Sequence, residues 1–287
     1  MAIDMASVAR RVRVRQIRLC TGALVALSDW PLTFKVIRAV RERPFGRRLL
    51  NILTGYNRAY VALAEANAAI RSADELGHEH PKYAQLNLSK SESTRLSDYP
   101  ALFHMQSLLP SLRTVFDFGG NVGNLLYCYS RYLALPSDLT WTVYDLPKNL
   151  ERGAAIACAK RETRLRFTRQ FEEADGADLF IACGSMHYFE EPLPDMLAKL
   201  SRLPRYVLIN RTPLVDGPPL ATIQDAEFWR IACVLHNRDS IIAQFNKLGY
   251  ELMDIWSIDE SSVIVVCYPD RSARSYSGLF FRLRGTT

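Results

Sequence analysis

The feature that most limits the fold of this sequence is the glycine-rich segment Asp117-Phe118-Gly119-Gly120-Asn121-Val122-Gly123. The residues that lead into it, Arg113–Phe118, are rich in β-branched and aromatic side chains and predict a strand. A helix is predicted from the segment to about Leu133. Glycine allows a tight turn and lets the backbone approach a bound molecule closely. The segment therefore predicts a strand–turn–helix unit whose turn and first helical amide groups bind polar ligand groups.

Strands and helices alternate from residue 113 onward, which is typical of a mostly parallel sheet covered on both faces. The further predicted strands are Leu139–Tyr144, Leu165–Phe167, Asp178–Cys183, Arg205–Asn210, Tyr250–Ser257 and Val263–Tyr268, with Gly278–Leu283 left open. The further predicted helices are Leu150–Lys160, Pro194–Leu200 and a long helix over about Ala226–Leu248. The sequence thus predicts an α/β fold, with a Rossmann-like domain over residues 98–287.

Residues 1–97 predict a separate helical region. Apolar residues recur at helical spacing in Arg47–Ser72, which is the clearest predicted helix of this part. The polar stretch His78–Ser97 predicts a connector, and a short helix is predicted at Ala101–Leu109. We therefore expect an N-terminal helical accessory region beside the Rossmann-like domain.

The net charge of +6 is concentrated in the first fifty residues, which hold eleven Lys and Arg residues against three acidic ones. The Arg-rich stretch Arg10–Arg18 is compatible with an anionic partner such as nucleic acid or a membrane surface. The stretch has no interleaved aromatic side chains that would stack on bases, so a solvated helix face or arm is favoured. A small-molecule substrate is expected, and nucleic acid is not an expected partner.

The six cysteines are too far apart in the sequence to indicate a zinc or redox pair. No metal is therefore predicted, and a reducing, cytoplasmic setting is inferred. The apolar stretch Leu19–Leu27 is too short to span a bilayer, and no small-residue cleavage site follows it, so neither a transmembrane segment nor a signal peptide is expected. The oligomeric state is left open, a homodimer included.

A second acidic residue, Asp145, ends the next predicted strand in the segment Val143-Tyr144-Asp145-Leu146-Pro147. A carboxylate at the tip of the second strand suits hydrogen bonds to ribose hydroxyls. The two segments and the alternation of elements together resemble class I S-adenosylmethionine (SAM)-dependent methyltransferases. Residues 117–123 resemble the first motif of that class, and residues 145–147 resemble the second motif of its small-molecule O-methyltransferases.

The sequence resembles more closely a family of methyltransferase-like proteins encoded with biosynthetic gene clusters. That resemblance covers about residues 98–260 and continues in Asn210-Arg211-Thr212-Pro213, Gln224 and Leu248–Leu252. It implies a seven-stranded class I fold, SAM as cofactor and a lid of N-terminal helices. It also implies that Asp117 and Gly119 hold the methionine part of SAM, and that Asp145 holds the ribose.

One residue departs from the usual pattern of this family, which has glycine at the position of Asn121. Two interpretations remain open. The amide of Asn121 lies against the methionine part of the cofactor, where it acts in catalysis, or asparagine merely tolerates the positive φ angle of the turn.

Other candidate site residues follow the strand ends, where ligands bind in open α/β sheets. Ser185 is expected to bind the amino-acid end of SAM, and His187 is either a general base or an ordinary pocket residue. Tyr188 and Arg211 are candidates for binding the acceptor, Arg211 through a carboxylate or else as a structural ion pair. The remaining cofactor candidates are Phe116, Gly120, Gly123, Leu146, Gln170 and Phe171, with core packing as the alternative for Phe116 and a solvated loop for the last two.

Three functions are compatible with these residues. The first is methyl transfer to an oxygen or nitrogen of a small molecule in natural product biosynthesis. The second, implied by the resemblance to azetidine-2-carboxylate synthases, is attack of the SAM amine on its own γ-carbon, which releases methylthioadenosine. Polar, uncharged neighbours such as Asn121 and Ser185 suit that reaction, because a carboxylate paired with the amine would keep it protonated. The third is SAM binding without catalysis.

Overall fold

The computed structural model describes residues 30–43, 56–70, 77–79, 93–226 and 229–285, with single positions between 23 and 49. The Arg-rich stretch Arg10–Arg18 and most of the predicted connector lie outside the described residues. In chain order the strands are β1 (Tyr56–Tyr60), β2 (Thr114–Phe118), β3 (Thr140–Tyr144), β4 (Leu165–Thr168), β5 (Leu179–Cys183), β6 (Tyr206–Thr212), β7 (Leu214–Val215), β8 (Leu220–Ala226), β9 (Trp229–Asn237), β10 (Tyr250–Ile258) and β11 (Tyr276–Leu283).

The helices of the described residues alternate with these strands over most of the chain. In chain order they are α1 (Pro31–Glu42), α2 (Leu63–Ala68), α3 (Asp98–Leu108), α4 (Asn124–Tyr129), α5 (Pro147–Lys160), α6 (Leu193–Leu197) and α7 (Arg238–Lys247). Short 3-10 turns at Phe171–Ala174 and Met186–Tyr188 follow strands β4 and β5. No helix in the described part of the chain is long and apolar enough to cross a membrane.

Seven strands form one sheet in the order β10-β11-β6-β5-β2-β3-β4. The pairs from β6 to β4 are parallel, and β11 pairs antiparallel with both β10 and β6. Apolar clusters cover the sheet on both faces, one of them with Trp141 and Tyr129 and the other with Phe180 and Phe245. Central parallel strands need such double cover, which is why their sequences are nearly continuous apolar runs. The predicted Rossmann-like α/β fold with a mostly parallel sheet is confirmed.

A second sheet of four strands, in the order β1-β8-β9-β7, was not predicted. The predicted helix Ala226–Leu248 is wrong over its first half, because β9 pairs antiparallel with β8 and a helix begins only at Arg238. The predicted helix Arg47–Ser72 is also wrong in its centre, where β1 pairs with β8. Only strand pairing with distant residues distinguishes such short apolar runs from helices. The described N-terminal part is therefore helical only in part.

The apolar run at Val263–Tyr268 is not the strand that its sequence predicts. Its only pairing among the described residues is an isolated bridge between Val263 and Ala273. Val263 and Val265 are buried against Val215 and Leu235 of the second sheet, so their hydrophobicity reflects packing between the two sheets. The position beside β10 is taken instead by β11.

The topology places the ends of four strands at one edge of the large sheet. Strands β3, β2, β5 and β6 are adjacent and parallel, so the residues that follow them lie side by side. Neighbouring strands are about 4.8 Å apart, so this edge extends over about 14 Å from β3 to β6. Ligands of open α/β sheets bind beyond the carboxyl ends of the strands.

Candidate functional site

The glycine-rich turn after β2 has the conformation that its sequence predicts. Gly119 and Gly123 have φ angles of 72° and 79°, and the N–H of Gly119 donates to the carbonyl of Tyr144 at 2.8 Å. Asn121 has a φ of 55°, so it occupies the left-handed region that asparagine tolerates. A Cβ on Gly120 would lie 2.4 Å from Cγ of Asp117, so only glycine fits there without a shift.

Asp117 lies beneath this turn. Its carboxylate is 1% exposed, and Oδ2 accepts a hydrogen bond from Nε1 of Trp141 at 3.0 Å. Burial raises the pKa of Asp117 to about 7, against the opposing effect of the Trp141 hydrogen bond. Its Oδ1 has no hydrogen-bond partner among the described residues. The structure thus places the carboxylate under the loop, whereas the sequence predicts it beside the methionine part of SAM.

Asp145 follows the tip of β3 and anchors the glycine-rich turn. Its Oδ2 accepts from the N–H of Asn121 at 2.8 Å, and its Oδ1 accepts from the N–H of Leu146 and from Nδ2 of Asn149, each at 2.7 Å. Burial raises the pKa of Asp145, and these three hydrogen bonds oppose the shift. The carboxylate therefore lies at the neighbouring strand tip, as the predicted ribose contact requires.

A cavity of about 420 Å³ opens at this edge of the sheet, within the size range of small-molecule sites. Eight of the residues that the sequence predicts for the site line it: Gly119, Asn121, Asp145, Leu146, Ser185, His187, Tyr188 and Arg211. Six others do not line it: Phe116, Asp117, Gly120, Gly123, Gln170 and Phe171. The residues that line the cavity follow four different strands, and the fold brings them together.

Phe116 is buried inside the sheet cover. Its ring stacks on Phe180 with the centroids 5.5 Å apart and meets the edge of Phe171 at 5.9 Å. Of the two interpretations of Phe116, core packing agrees with its position. Gln170 is exposed, and its N–H donates to Oγ1 of Thr168, so it closes the turn after β4.

Ser185 packs directly against the glycine-rich turn. Its hydroxyl donates to the carbonyl of Phe118, and a Cβ on Gly119 would lie 2.4 Å from the Cβ of Ser185. The hydroxyl proton is therefore committed to the backbone, whereas the oxygen lone pairs remain available to a donor. An amine of a bound molecule is a suitable donor for that oxygen.

His187 is a buried neutral imidazole on the cavity wall. Its side chain is 2% exposed, and Nδ1 has no hydrogen-bond partner among the described residues. Burial lowers the pKa of His187 to about 3, and the nearby His78 and His236 add to the shift. At neutral pH the ring is therefore uncharged, with one nitrogen lone pair able to accept a proton or a hydrogen bond.

Aromatic side chains surround His187. Its ring lies 4.1 Å from that of Tyr188 and 6.2 Å from that of Tyr276, measured between centroids. The hydroxyl of Tyr188 donates to Oε1 of Gln224 at 3.1 Å, which joins this part of the cavity to β8 of the second sheet. The second sheet, which the sequence did not predict, therefore contributes Gln224 to the cavity wall.

Arg211 at the end of β6 is both a structural and a cavity residue. Its Nη1 donates to Oδ1 of Asp98 at 3.0 Å, and this ion pair is largely buried. Arg211 also lines the cavity. The structural interpretation of Arg211 thus agrees with the geometry, and acceptor binding remains compatible with it.

Several cavity residues were not predicted as site residues from the sequence. They are His78, Arg95, Asn124, Asn149, Ser261 and Tyr276. His78 and Arg95 lie before the Rossmann-like domain, in the stretch predicted as a connector. No local pattern marks them, because only the approach of His78 and Arg95 to residues far away in the sequence brings them to the cavity.

Comparison with known proteins gives a fold and no family. No family model matches the sequence, and no curated protein matches it. Among solved structures, the 1,6-didemethyltoxoflavin-N1-methyltransferase of Burkholderia thailandensis, with bound 1,6-didemethyltoxoflavin and S-adenosylhomocysteine, superposes with a TM-score of 0.50. The two chains are 17% identical over 79% of this chain and 92% of the other.

A SAM-dependent methyltransferase of Clostridium acetobutylicum is a more distant match, with a TM-score of 0.46, 10% identity and coverage of 71% of this chain and 98% of the other. The seven-stranded sheet and the superposition on the Burkholderia structure at a TM-score of 0.50 show that the chain has the class I SAM-dependent methyltransferase fold. One fold hosts many activities, so the function of the chain depends on the residues of its site.

Proposed function

We propose that the chain is a SAM-dependent enzyme that transfers a methyl group to an oxygen or nitrogen of a small molecule. The observation that carries the proposal is the composition of one cavity. Asn121 and Asp145 lie on its wall, as does His187, whose Nδ1 is buried without a partner. A nucleotide-type turn and a neutral base thus meet at the same edge of the sheet.

The residues of the turn fit the adenosyl and methionine parts of SAM. Gly119 and Asn121 line the cavity, and the buried Oδ1 of Asn121 has no partner among the described residues. In this proposal Asp145 accepts hydrogen bonds from the ribose hydroxyls, and Ser185 accepts one from the methionine amine. SAM supplies an electrophilic methyl group on its sulfonium, so the protein's main task is to orient the nucleophile and exclude water.

His187 acts as the general base in this proposal. A pKa of about 3 makes the imidazole a weak base, but it keeps the ring unprotonated beside a cationic cofactor at every physiological pH. Tyr188 and Tyr276 hold the imidazole from its sides, and Tyr188 is itself fixed by Gln224. The acceptor is therefore expected to bind against these aromatic rings, with its hydroxyl or amine facing Nδ1.

One observation favours intramolecular cyclisation of SAM as a second candidate. Within the described residues, Asp145 is the only carboxylate on the cavity wall, and three hydrogen bonds already engage it. Asp117 lies under the turn and beyond the wall. An amine that meets Ser185 and Asn121 without a free carboxylate is more easily neutral, and a neutral amine is the nucleophile of that reaction.

Incubation of the purified chain with SAM alone, followed by mass spectrometry, separates the candidates. Methyl transfer predicts S-adenosylhomocysteine only after a pool of metabolites is added. Cyclisation predicts methylthioadenosine and a cyclic amino acid without any addition. Tight binding of SAM with neither product would refute both reactions and leave a binding protein.

His187→Gln tests the proposed base. We expect the acceptor-dependent rate to fall by about 10², the lower end of the usual contribution of a positioned base because the low pKa makes this imidazole a weak one, with the affinity for SAM unchanged. His236→Gln is the matched control, since His236 does not line the cavity although burial also lowers its pKa, to about 4. Equal rates for His187→Gln and the wild type would remove His187 from the chemistry.

A further inference from the structure

The cavity wall carries more positive than negative charge. Two arginines, Arg95 and Arg211, line it, whereas Asp145 is its only acidic residue within the described chain. Asp145 accepts hydrogen bonds from two backbone amides and from Asn149, so it is committed to the glycine-rich turn. No carboxylate on the described part of the wall therefore pairs with either arginine.

Asp98, which does not line the cavity, accepts hydrogen bonds from both arginines. Oδ1 of Asp98 accepts from Nη1 of Arg211 at 3.0 Å, and Oδ2 of the same group accepts from the backbone N–H of Arg95 at 2.9 Å. The hydroxyl of Tyr129 also donates to Oδ1, at 3.0 Å. Asp98 is thus fully engaged, and it fixes the start of the Arg95 side chain close to the guanidinium of Arg211.

The guanidinium of Arg95 makes no hydrogen bond and no ion pair with the described residues, although its side chain lines the cavity. Arg211 uses one of its five N–H groups on Asp98, and its side chain is only 12% exposed. A partly buried guanidinium keeps a strong demand for acceptors because little water reaches it. The arrangement thus leaves N–H donors of two cavity-lining arginines without an acceptor among the described residues.

The backbone at Arg211 supports a role beyond the ion pair. Its φ of 53° lies in the left-handed region, which a residue with a Cβ adopts only with backbone strain. Strained positions of this kind cluster at ligand sites. A Cβ on Gly184 would lie 3.8 Å from Nε of Arg211, so the guanidinium runs beside the segment that leads to Ser185.

The order of the site residues along the sheet edge indicates which part of a ligand would reach Arg211. Asp145 follows β3, Gly119 follows β2, Ser185 follows β5 and Arg211 ends β6, and these four strands are adjacent in that order. A molecule whose ribose binds Asp145 and whose chain passes Gly119 and Ser185 therefore reaches Arg211 with its far end.

We propose that Arg95 and Arg211 form an anion subsite that binds a carboxylate of the ligand in this cavity. The carboxylate belongs either to the methionine part of SAM or to the second substrate, and in both cases two guanidinium groups recognise it through charge-assisted hydrogen bonds. The identity of the ligand rests on the proposed function, whereas the preference for an anion rests on the arginines alone.

Calorimetric titration of the whole chain with SAM and with decarboxylated SAM tests the cofactor source. Arg95→Gln is the chosen variant, because the guanidinium of Arg95 makes no hydrogen bond or ion pair with the described residues that the substitution would break. If the carboxylate is that of SAM, the wild type binds SAM about tenfold or more tightly than decarboxylated SAM, and Arg95→Gln loses that advantage. Arg95→Lys retains part of it. Arg113→Gln, at the opposite edge of the sheet, is the control and keeps the wild-type affinities.

Titration of benzoate into the free chain and into the chain saturated with S-adenosylhomocysteine tests the second source. A carboxylate subsite for the second substrate predicts benzoate binding in both states of the wild type and at least tenfold weaker binding in Arg95→Gln. A cofactor subsite predicts benzoate binding to the free chain only. Equal affinity for the two forms of SAM, together with no benzoate binding in either state, would overturn the proposal.

The benzoate titration also tests the anion subsite independently of the proposed SAM-dependent function. A chain that ignores SAM and S-adenosylhomocysteine but binds benzoate through Arg95 refutes the cofactor and retains the anion subsite. A chain that binds both nucleosides, without any dependence on Arg95 or on a carboxylate, retains the cofactor and refutes the subsite.

Discussion

Two buried carboxylates, Asp117 and Asp145, lie on either side of the same glycine-rich turn and differ in their hydrogen bonds. Asp145 accepts three hydrogen bonds, whereas Asp117 accepts one, from Trp141. Hydrogen bonds to the ionised form offset the cost of burial, so Asp145 is the better placed of the two to remain charged. Asp145 can therefore attract ribose hydroxyls, and Asp117 supports the turn from below.

Asp145→Ala tests this assignment. We expect the affinity for SAM to fall by about 1–3 kcal/mol, because the ribose hydroxyls would lose a buried acceptor. Calorimetry measures the loss, and Asp138→Ala, an exposed acid far from the turn, serves as the control. Unchanged affinity in Asp145→Ala would refute the ribose contact.

The raised pKa of Asp117 makes the stability of the protein depend on pH. The folded carboxyl titrates at about 7 and an unfolded aspartate near 4, so the folded state holds the extra proton between these values. The stability that this group contributes is therefore present below about pH 4 and lost as the pH rises through 7.

An asparagine side chain cannot ionise, so the Asp117→Asn variant should not lose stability as the pH rises through 7. We expect the variant to gain on the order of 3 kcal/mol relative to the wild type between pH 4.5 and pH 8, as measured by urea unfolding at both values. The same comparison for Asp195→Asn, an exposed acid on α6, should give no difference between the two pH values. An Asp117→Asn gain that is independent of pH would contradict the raised pKa.

At the scale of elements, the strand–turn–helix unit around Gly119–Gly123 could be predicted from sequence because its demands are local. A positive φ and close backbone packing admit few residue types, so the glycines mark the turn directly. β8 and β9 carry no such mark. The two strands pair antiparallel, and both are short runs rich in apolar residues. Such runs are equally compatible with a buried helix as long as the partner strand is unknown.

Gly120→Ala tests the packing within this unit. The added Cβ would lie 2.4 Å from Cγ of Asp117, so we expect a loss of about 1–3 kcal/mol in the free energy of unfolding and weaker binding of S-adenosylhomocysteine. Gly285→Ala is the control for strain without a clash, since Gly285 has a φ of 80° and no heavy atom near its Cβ position. A smaller loss in Gly120→Ala than in Gly285→Ala would mean that the turn is not packed as described.

At the scale of the whole molecule, the cavity lies between two sheets that meet at the strand ends. The large sheet provides the glycine-rich turn and Ser185, and the second sheet provides Gln224, which holds Tyr188. A ligand that contacts both sheets should stabilise the folded chain as a unit, because it binds only when the sheets are assembled.

Thermal unfolding with S-adenosylhomocysteine measures this coupling. At a concentration of about 100 times Kd, a specific ligand adds about 2.7 kcal/mol, which corresponds to a rise in Tm of roughly 5–10 °C for a domain of this size. NADH at the same concentration should leave Tm unchanged. A rise with NADH and none with S-adenosylhomocysteine would refute the SAM site.

Sequence alone was enough to predict the α/β class, the turn at Gly119–Gly123 and the position of Asp145 at a strand tip. Each of these depends on residue types that only one local backbone conformation accommodates well. Tertiary structure alone decided the second sheet, the burial of Phe116 and the approach of Arg95 to the cavity. Those features depend on contacts between residues far apart in the chain, and hydrophobicity is non-directional, so an apolar run does not specify the surface against which it packs.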